Sequence, residues 1–227
     1  MKLKGFDILY EDDAVIVCRK EAGIAVETAA VGQADILSGL KRYLSAKGEA
    51  PSVFIVHRLD QPVSGLLVFA KDKRSAAALS AQASPDGKGK KMLKEYEAWI
   101  FGRMPEAQGT LRDFLKKDAK TNTSFKVSEG EGGKKAVLHY EALEELYNGQ
   151  AQKLKIRLET GRHHQIRVQL SARGCPILGD MKYGTEASIS FSKETEIKEL
   201  KLCAAHLIFY HPTDGRKMEF FEMQEIK

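Results

Sequence analysis

The chain has 227 residues, of which 43% are apolar and 30% are charged, as expected of a folded protein with a substantial buried core. Lysine and arginine outnumber acidic residues by 36 to 31, so the formal charge of +5 permits a polyanionic partner without requiring one. The charged first residues argue against a signal peptide, and the absence of long apolar runs argues against a membrane protein. Three widely separated cysteines argue against a disulfide framework, and we expect a cytoplasmic protein.

The N-terminal part of the sequence predicts a strand pair followed by a helix. Apolar runs at 6–10 and 14–18 flank an acidic turn, which is typical of two short strands. Apolar residues then recur at helical spacing after Asp35, whose side chain can cap that helix. Asp72 can cap a second, alanine-rich helix over 75–82.

Between these two helices, a charged turn at 57–65 separates two apolar runs, 53–56 and 66–70, which predict buried strands. Pro62 cannot donate to a sheet ladder, so the strand should break there. We therefore expect Asp60 to lie at the edge of the core, partly desolvated. From the residues alone, it is either a functional carboxylate or a turn cap before proline.

A turn-rich, lysine-rich segment follows at 84–91 and predicts an exposed loop that either contacts phosphate or is simply solvated. The next apolar pattern is that of a strand, in which Tyr96 shares a face with Ala98 and Ile100. Tyr96 is therefore either a core ring or a functional one.

The second half of the chain predicts an antiparallel sheet. Strands are expected at 121–128 and 136–143, and Asn148-Gly149 is a strong hairpin signal. The strand at 153–160 alternates charged and apolar residues, which predicts one wet, basic face.

The C-terminal part predicts one further helix and a final hairpin. The helix begins near His164 and ends at Gly174, although the apolar alternation within it also permits a strand. A polar stretch at 186–201 predicts a surface loop with a short helix. Strands at 202–210 and 217–223 form the hairpin.

The predicted elements describe an α+β protein with a central, largely antiparallel mixed sheet that is flanked by helices and loops. We see no repeat and no linker, so we expect a single domain over 1–227.

Several motifs resemble those of the RluA-type RNA pseudouridine synthases in order and spacing. One short motif would be weak evidence, but five ordered blocks across most of the chain are a strong signal, and they imply the pseudouridine-synthase fold. The blocks are His57-Arg58-Leu59-Asp60 with Ser64-Gly65, Lys94-x-Tyr96-x-Ala98, Thr160-Gly161-Arg162-x-His164-Gln165-Ile166-Arg167-Val168, Pro176-Ile177-Leu178-Gly179-Asp180 with Tyr183, and Ala205-His206-Leu207 with His211-Pro212.

The resemblance implies the isomerisation of uridine to pseudouridine in structured RNA, either ribosomal or transfer RNA, without a cofactor or metal. Asp60 would be the catalytic carboxylate, which attacks the sugar, adds to the base or takes a sugar proton. Arg167 would form an ion pair with Asp60 and lower its pKa, and Tyr96 would stack on the uracil.

Four further residues are implied to bind the substrate. Arg58 would enter the space left by the flipped base, and Arg162 would contact phosphate or orient other groups. His57 and His164 would satisfy buried hydrogen bonds or contact RNA.

The sequence also departs from the usual pattern of this family at several positions, which concerns the choice of substrate. Gln61 and Val63 replace the usual charged residue and threonine, and Glu21 stands where proline usually follows Lys20. His163 replaces a small hydroxyl residue, and Gln169 replaces a histidine.

Two other functions stay open at the level of sequence. One is an RNA-binding or RNA-chaperone protein with this fold and little catalysis, and the other is a carboxylate-dependent nucleoside hydrolase. The histidines and Cys203 lack metal-ligand spacing, so we predict no metal site. We expect a monomer that does not associate with membranes. By comparison with the family, we also expect no separate N-terminal RNA-binding domain, because the residues before His57 read as part of the catalytic fold.

Overall fold

The computed structural model describes residues 2–30, 32–84, 87 and 89–222. The chain forms two compact units: unit 1 comprises Met1–Lys94 and Cys203–Lys227, and unit 2 comprises Glu95–Leu202. Parts of two predicted elements lie outside the described residues, namely Pro85, Asp86 and Lys88 of the predicted phosphate-contacting loop and Met223 of the last predicted strand.

The described residues form strands and four α-helices in an order that matches an α+β protein, so the predicted fold class is confirmed. In chain order they are β1 (Lys2–Leu3), β2 (Phe6–Glu11), β3 (Val15–Lys20), α1 (Ile36–Ala46), β4 (Phe54–Ile55), β5 (Ser64–Ala70), α2 (Lys73–Ala83), β6 (Leu93–Phe101), β7 (Gln108–Asp118), β8 (Thr123–Val127), β9 (Lys134–Leu146), β10 (Ala151–Leu158), α3 (Gln165–Ser171), α4 (Glu186–Glu194), β11 (Leu202–Tyr210) and β12 (Lys217–Phe221).

Unit 1 contains a sheet with the strand order β1-β2-β3-β5-β11, in which β4 also pairs with β5 and β12 with β11. The two predicted helices are present and begin where their caps were expected. Asp35 and Asp72 each accept a hydrogen bond from a backbone N–H three residues later, at 2.7 and 2.9 Å. These caps satisfy donors that the first turn of a helix leaves unpaired.

The apolar run at 53–56 was predicted as a buried strand, and this prediction was largely wrong. Only Phe54–Ile55 pairs with a neighbour, and both side chains are partly exposed. Their partners are Phe69 and Ala70 at the far end of β5. After Ile55 the chain no longer pairs with β5, and residues 56–63 form an irregular segment before β5 begins at Ser64.

Strand β5 is the buried centre of unit 1, with β3 antiparallel on one side and β11 parallel on the other. Close approach of β5 to β11 depends on Gly65, which has a φ of +116°. A Cβ atom at this position would lie 2.4 Å from the carbonyl oxygen of Ala204 and 2.5 Å from its nitrogen. Only glycine fits this backbone conformation and this spacing.

Unit 2 contains an antiparallel sheet with the strand order β6-β10-β9-β7-β8. The predicted hairpin at Asn148-Gly149 is present, and both residues have left-handed backbone angles, with φ of 53° and 82°. Sequence reasoning missed β7. Its inward face carries Leu111 and Leu115 with a buried carboxylate, Asp113, between them, so the apolar alternation is interrupted.

The predicted basic face of β10 is wrong because its lysines pair with glutamates of β6. The Nζ atom of Lys153 lies 3.0 Å from Oε2 of Glu97, and that of Lys155 lies 3.7 Å from Oε2 of Glu95. Such cross-strand pairs cancel most of the charge on this face.

The segment 186–201 contains the expected short helix, α4, but it is not only a surface loop. Phe191 and Ile197 are buried in an apolar cluster with Trp99 and Leu178. The helix therefore closes part of the core of unit 2. In α3, the alternative of a strand is excluded, because 165–171 is helical.

Replacing Gly65 with alanine should destabilise the protein by at least about 2 kcal/mol, because the new Cβ atom meets the Ala204 backbone. Thermal denaturation should show a fall of several degrees in Tm. Gly23→Ala is the matched control, since Gly23 also has a positive φ, of +87°, but nothing lies within 4 Å of the position that its Cβ atom would take. Equal losses in the two variants would contradict the role given to the close approach.

Candidate active site

The loop that carries Asp60 in unit 1 is closed by a short turn. The carbonyl oxygen of Asp60 accepts a hydrogen bond from the Val63 N–H at 3.0 Å. Asp60 is half-buried, whereas Arg58 is exposed. The expectation that Asp60 lies at the edge of the core is therefore confirmed.

A buried lysine that sequence reasoning did not single out fixes this turn. The Nζ atom of Lys20 donates to the carbonyl oxygens of Glu21, Gln61 and Val63, at 3.0, 2.8 and 2.6 Å. All three ammonium donors are thereby satisfied, although the residue is completely buried. The signal in the sequence was the alternation of β3, in which Ile16, Cys18 and Lys20 share one side.

Lys20 also couples electrostatically to Asp60. Burial lowers the pKa of Lys20 to about 8, and the charge of Asp60 acts in the opposite direction. The interaction is reciprocal, so the ammonium group favours the ionised carboxylate. Lys20 thus fixes the backbone on the C-terminal side of Asp60 and places a positive charge near it.

The departure from the family pattern at Gln61 has a structural explanation. Its carbonyl oxygen accepts from the Gly23 N–H, and its side-chain amide donates to the Gly23 carbonyl oxygen, both at 2.9 Å. Gln61 therefore joins the Asp60 turn to the loop after β3. The neighbouring departure, Val63, is buried in the apolar core.

His57 packs its ring beneath β5 in unit 1. Its Nε2 accepts a hydrogen bond from the Val68 N–H at 3.4 Å, and its Nδ1 is buried with no hydrogen-bond partner among the described residues. Burial, aided by the nearby positive charge of Lys94, lowers the pKa of His57 to about 3. The imidazole is therefore neutral at physiological pH.

In unit 2, the turn before α3 is locked by Thr160 and Gln165. The Thr160 hydroxyl donates to the Gln165 side-chain oxygen at 2.8 Å, and the same oxygen accepts from the Arg162 N–H at 3.0 Å. The Arg162 guanidinium in turn donates through Nε to the Lys135 carbonyl oxygen at 2.8 Å. These hydrogen bonds fix the conformation of the turn that carries Arg162, His163 and His164.

Arg167, one turn into α3, is buried and forms a bidentate ion pair with Asp180. Its Nε and Nη2 atoms each lie 2.7 Å from a carboxylate oxygen. The same carboxylate accepts the backbone N–H groups of Lys182 and Tyr183 at 3.0 Å. The pair does not use Nη1, and the predicted contact of Arg167 with Asp60 stays a prediction.

Tyr183 connects this ion pair to His164. The Arg167 guanidinium carbon lies 4.9 Å from the centre of the Tyr183 ring. The Tyr183 hydroxyl accepts from the Ser124 N–H at 2.8 Å and is hydrogen-bonded to Nδ1 of His164 at 2.6 Å. Burial, with the positive charge of Arg167 next, lowers the pKa of His164 to about 3, so this histidine is also neutral.

Tyr96 lies on β6 opposite Ile156 of β10 and is 7% exposed. Its burial fits both readings from the sequence, a core ring or a ring held ready for substrate.

Gln169, a departure from the family pattern, is fully buried and donates to Asp113 at 2.7 Å. It therefore supports the core of unit 2 and has no exposed surface for substrate.

The predicted site residues thus fall into two groups. His57, Arg58 and Asp60 lie on one loop of unit 1, supported by Lys20. Unit 2 supplies the others, of which Arg162, His164 and Arg167 follow each other around the start of α3. Lys20, Asp180 and Tyr183 are the supporting residues to which sequence reasoning gave no role.

A family model described as RNA pseudouridylate synthase matches residues 14–172, well over half of the chain. The chain belongs to the RNA pseudouridylate synthase family. This finding confirms the RluA-type resemblance and, at the level of the family, the expected enzyme class, an isomerase.

Curated relatives extend the likeness beyond the matched region. The chain is 34% identical to "Ribosomal large subunit pseudouridine synthase D" of Zymomonas mobilis and 36% identical to the protein of that name from Vibrio cholerae, over 94% of its length. It spans 68% and 66% of these two proteins. It is also 38% identical, over 78% of its length and 57% of the relative's, to "Uncharacterized RNA pseudouridine synthase YhcT" of Bacillus subtilis.

Solved structures support the fold of this family member. "Human RNA Pseudouridylate Synthase Domain Containing 1" matches 96% of the chain and 83% of its own length with a TM-score of 0.74 at 23% identity. "Human RNA Pseudouridylate Synthase Domain Containing 4" matches 96% of the chain and 88% of its own length with a TM-score of 0.72, also at 23% identity.

Among the residues that the structure describes, every helix is too short or too polar to span a bilayer. No group of three or more histidine, cysteine, aspartate or glutamate side chains within the same residues is arranged to hold a metal ion.

Titration of Lys20 should make the protein more stable as the pH rises. Below about pH 8 the lysine is protonated in both states, whereas between about pH 8 and its ordinary pKa near 10.4 only the unfolded chain holds the proton. Between pH 7.5 and 9.5 the free energy of unfolding of the wild type should rise by about 1–2 kcal/mol relative to that of Lys20→Met, measured by urea denaturation. Lys73→Met, at the exposed start of α2, should follow the wild type, and a constant difference between wild type and Lys20→Met would refute the assignment.

Removal of Asp180 should destabilise unit 2 severely, because it leaves the buried charge of Arg167 without its bidentate partner. We expect Asp180→Ala to lose about 3–5 kcal/mol of unfolding free energy, and Asp13→Ala, at an exposed carboxylate, to lose less than about 0.5 kcal/mol. The double variant Arg167→Met/Asp180→Ala should be more stable than Asp180→Ala alone. If the two losses simply add, the unpaired charge is not the cause.

Proposed function

We propose that this chain isomerises specific uridines of large-subunit ribosomal RNA to pseudouridine. Its membership of the RNA pseudouridylate synthase family supports the reaction. The names of two relatives that share 34% and 36% identity over 94% of the chain support the choice of RNA. The observation that carries the proposal is the Asp60 turn, in which the buried Lys20 binds the carbonyl oxygens of Gln61 and Val63 next to a carboxylate at the edge of the core.

The proposed reaction is an isomerisation, so substrate and product contain the same atoms and the same number of electrons. The N1–C1′ bond of the uridine breaks, the freed uracil rotates, and a C5–C1′ bond forms. N1 gains a proton and C5 loses one. No redox step occurs, and we propose that neither a cofactor nor a metal takes part.

Asp60 is proposed as the catalytic carboxylate, which attacks the sugar, adds to the base or takes a sugar proton. Each of the three routes requires the ionised carboxylate, and the charges of Lys20 and Asp60 attract each other. Arg167 is proposed to pair with Asp60 as well as with Asp180. Tyr96 is proposed to stack on the uracil, with its hydroxyl near C5.

The remaining site residues are proposed to bind RNA. Arg58 is exposed, and its planar guanidinium can stack in the gap left by a flipped base and bind phosphate at the same time. Arg162 is proposed to contact phosphate. His57 and His164 are neutral and buried on one side, so we propose that they shape the site rather than transfer protons.

We further propose that residues 1–227 act as one catalytic domain, as a monomer and in the cytoplasm. RNA affinity should then fall steeply with salt, because phosphate contacts release counterions.

Asp60→Asn should abolish pseudouridine formation while RNA binding persists. We expect the rate on ribosomal RNA from cells that lack this gene to fall by about 10³-fold or more, with retention of RNA on a filter unchanged within about twofold. Pseudouridine is located by chemical mapping of the modified positions. Asp13→Asn, at an exposed carboxylate of the same unit, is the control and should act as the wild type does.

The same assay separates the other two functions. Wild-type protein that binds RNA but forms no pseudouridine in any RNA class would favour an RNA-binding or chaperone protein. Release of free uracil from small nucleosides, with no salt-dependent RNA binding, would favour a nucleoside hydrolase. Modification of transfer RNA alone would correct the proposed substrate and leave the chemistry intact.

A further inference from the structure

His163 is a departure from the family pattern, and the structure holds its ring from two sides. The ring stacks on that of His164, with 3.7 Å between the ring centres and 26° between their planes. Its Nδ1 lies 2.9 Å from the Ser124 hydroxyl and is hydrogen-bonded to it. His163 is half-buried, so part of the residue remains accessible to solvent.

The ring beneath it is itself rigid. His164 is 8% exposed and has a left-handed backbone, with φ of 54° and ψ of 25°. Its Nδ1 is hydrogen-bonded to the Tyr183 hydroxyl at 2.6 Å, and the Tyr183 ring meets it edge-on with 5.5 Å between the ring centres. His163 is therefore stacked on a ring that Tyr183 holds in place from its edge.

The electrostatic surroundings of this stack are positive. The charges of Arg167 and Lys182 both lower the pKa of His164, so both lie near the rings. Lys182 is exposed, and its Nζ donates to the Asn122 carbonyl oxygen at 3.1 Å. The nearby carboxylate, Asp180, is already paired with Arg167. A fixed aromatic face beside an exposed cation matches an RNA base and its phosphate.

We propose that His163 is a stacking platform for a base that neighbours the target uridine, and that it makes the enzyme prefer a purine there. The inference rests on the proposed function and adds a determinant of substrate choice. A purine offers a larger stacking area than a pyrimidine, and a ring already held in place loses little entropy on binding. The small hydroxyl residue usual at this position offers no such face.

The test uses RNA stem-loops that carry the target uridine in the loop, with 2-aminopurine on its 5′ or 3′ side. In the wild-type complex the fluorescence at one of the two positions should stay quenched by stacking. His163→Ala should restore it and raise KM by about 5- to 10-fold, with kcat changed less than twofold. His163→Phe keeps a ring and should retain both quenching and KM, whereas His163→Thr should behave as alanine does.

A second substrate series tests the preference directly. Replacing the neighbouring purine by a pyrimidine should raise KM for the wild type by several-fold and leave KM for His163→Ala unchanged. His139→Ala is the matched control, because His139 is also a half-buried histidine of unit 2 whose Nδ1 is hydrogen-bonded to a hydroxyl, that of Thr110 at 2.9 Å. It should change neither KM nor fluorescence.

Three results would overturn the proposal. One is a His163→Ala protein with wild-type KM and quenching. Another is a His163→Phe protein that loses affinity and Tm as much as the alanine variant, since that pattern indicates a structural histidine. A wild type that modifies RNA without quenching at either position also refutes the stacking role but leaves the proposed function standing, whereas a wild type inert on every RNA refutes the function itself.

Discussion

The bidentate pair of Arg167 and Asp180 is the interaction on which the arrangement of unit 2 depends. A buried guanidinium is tolerated only when an opposite charge and good hydrogen-bond geometry compensate its desolvation, and both are present at 2.7 Å. The same carboxylate holds two backbone N–H groups, so one side chain orients the arginine and the loop that carries Tyr183. Lys20 uses the same logic in unit 1, where an ammonium group organises backbone carbonyls around the Asp60 turn. In both units, buried charged groups with satisfied hydrogen bonds fix the position of residues that have proposed roles.

Much of the fold could be predicted because local signals agreed with the final structure. Asp35 and Asp72 cap the two expected helices, and Asn148-Gly149 forms the expected turn. The failures have physical causes that a local pattern does not contain. Strand β7 was missed because Asp113 occupies an inward position, where Lys126 pairs with it and where Gln169 and Arg173, more than fifty residues away in sequence, donate hydrogen bonds to it. The face of β10 was taken as basic because the glutamates that neutralise it lie on another strand.

For the candidate site, the sequence yielded the motif residues but not what holds them. Asp60, Arg162 and Arg167 could be selected from motif order, whereas the role of Lys20 depends on three carbonyl groups, and backbone geometry is not visible in a pattern of side chains. Gln61 was seen only as a departure from the family pattern, yet it forms two hydrogen bonds with Gly23. The surroundings of His163 were likewise not visible in the sequence. Its stacking partner is adjacent in sequence, but the left-handed backbone of His164 that brings the rings together cannot be read from residue types.

The parallel pairing of β5 with β11 has a consequence for biosynthesis. Unit 2 is continuous in sequence, so all its strands can assemble while the C-terminal part of the chain is still being translated. Unit 1 needs residues from both ends, and until β11 emerges from the ribosome Ser64 and Gly65 of β5 lack their parallel partners. A chain that ends before residue 203 would therefore be a substrate for chaperones that shield unpaired strands, whereas the released full chain would not.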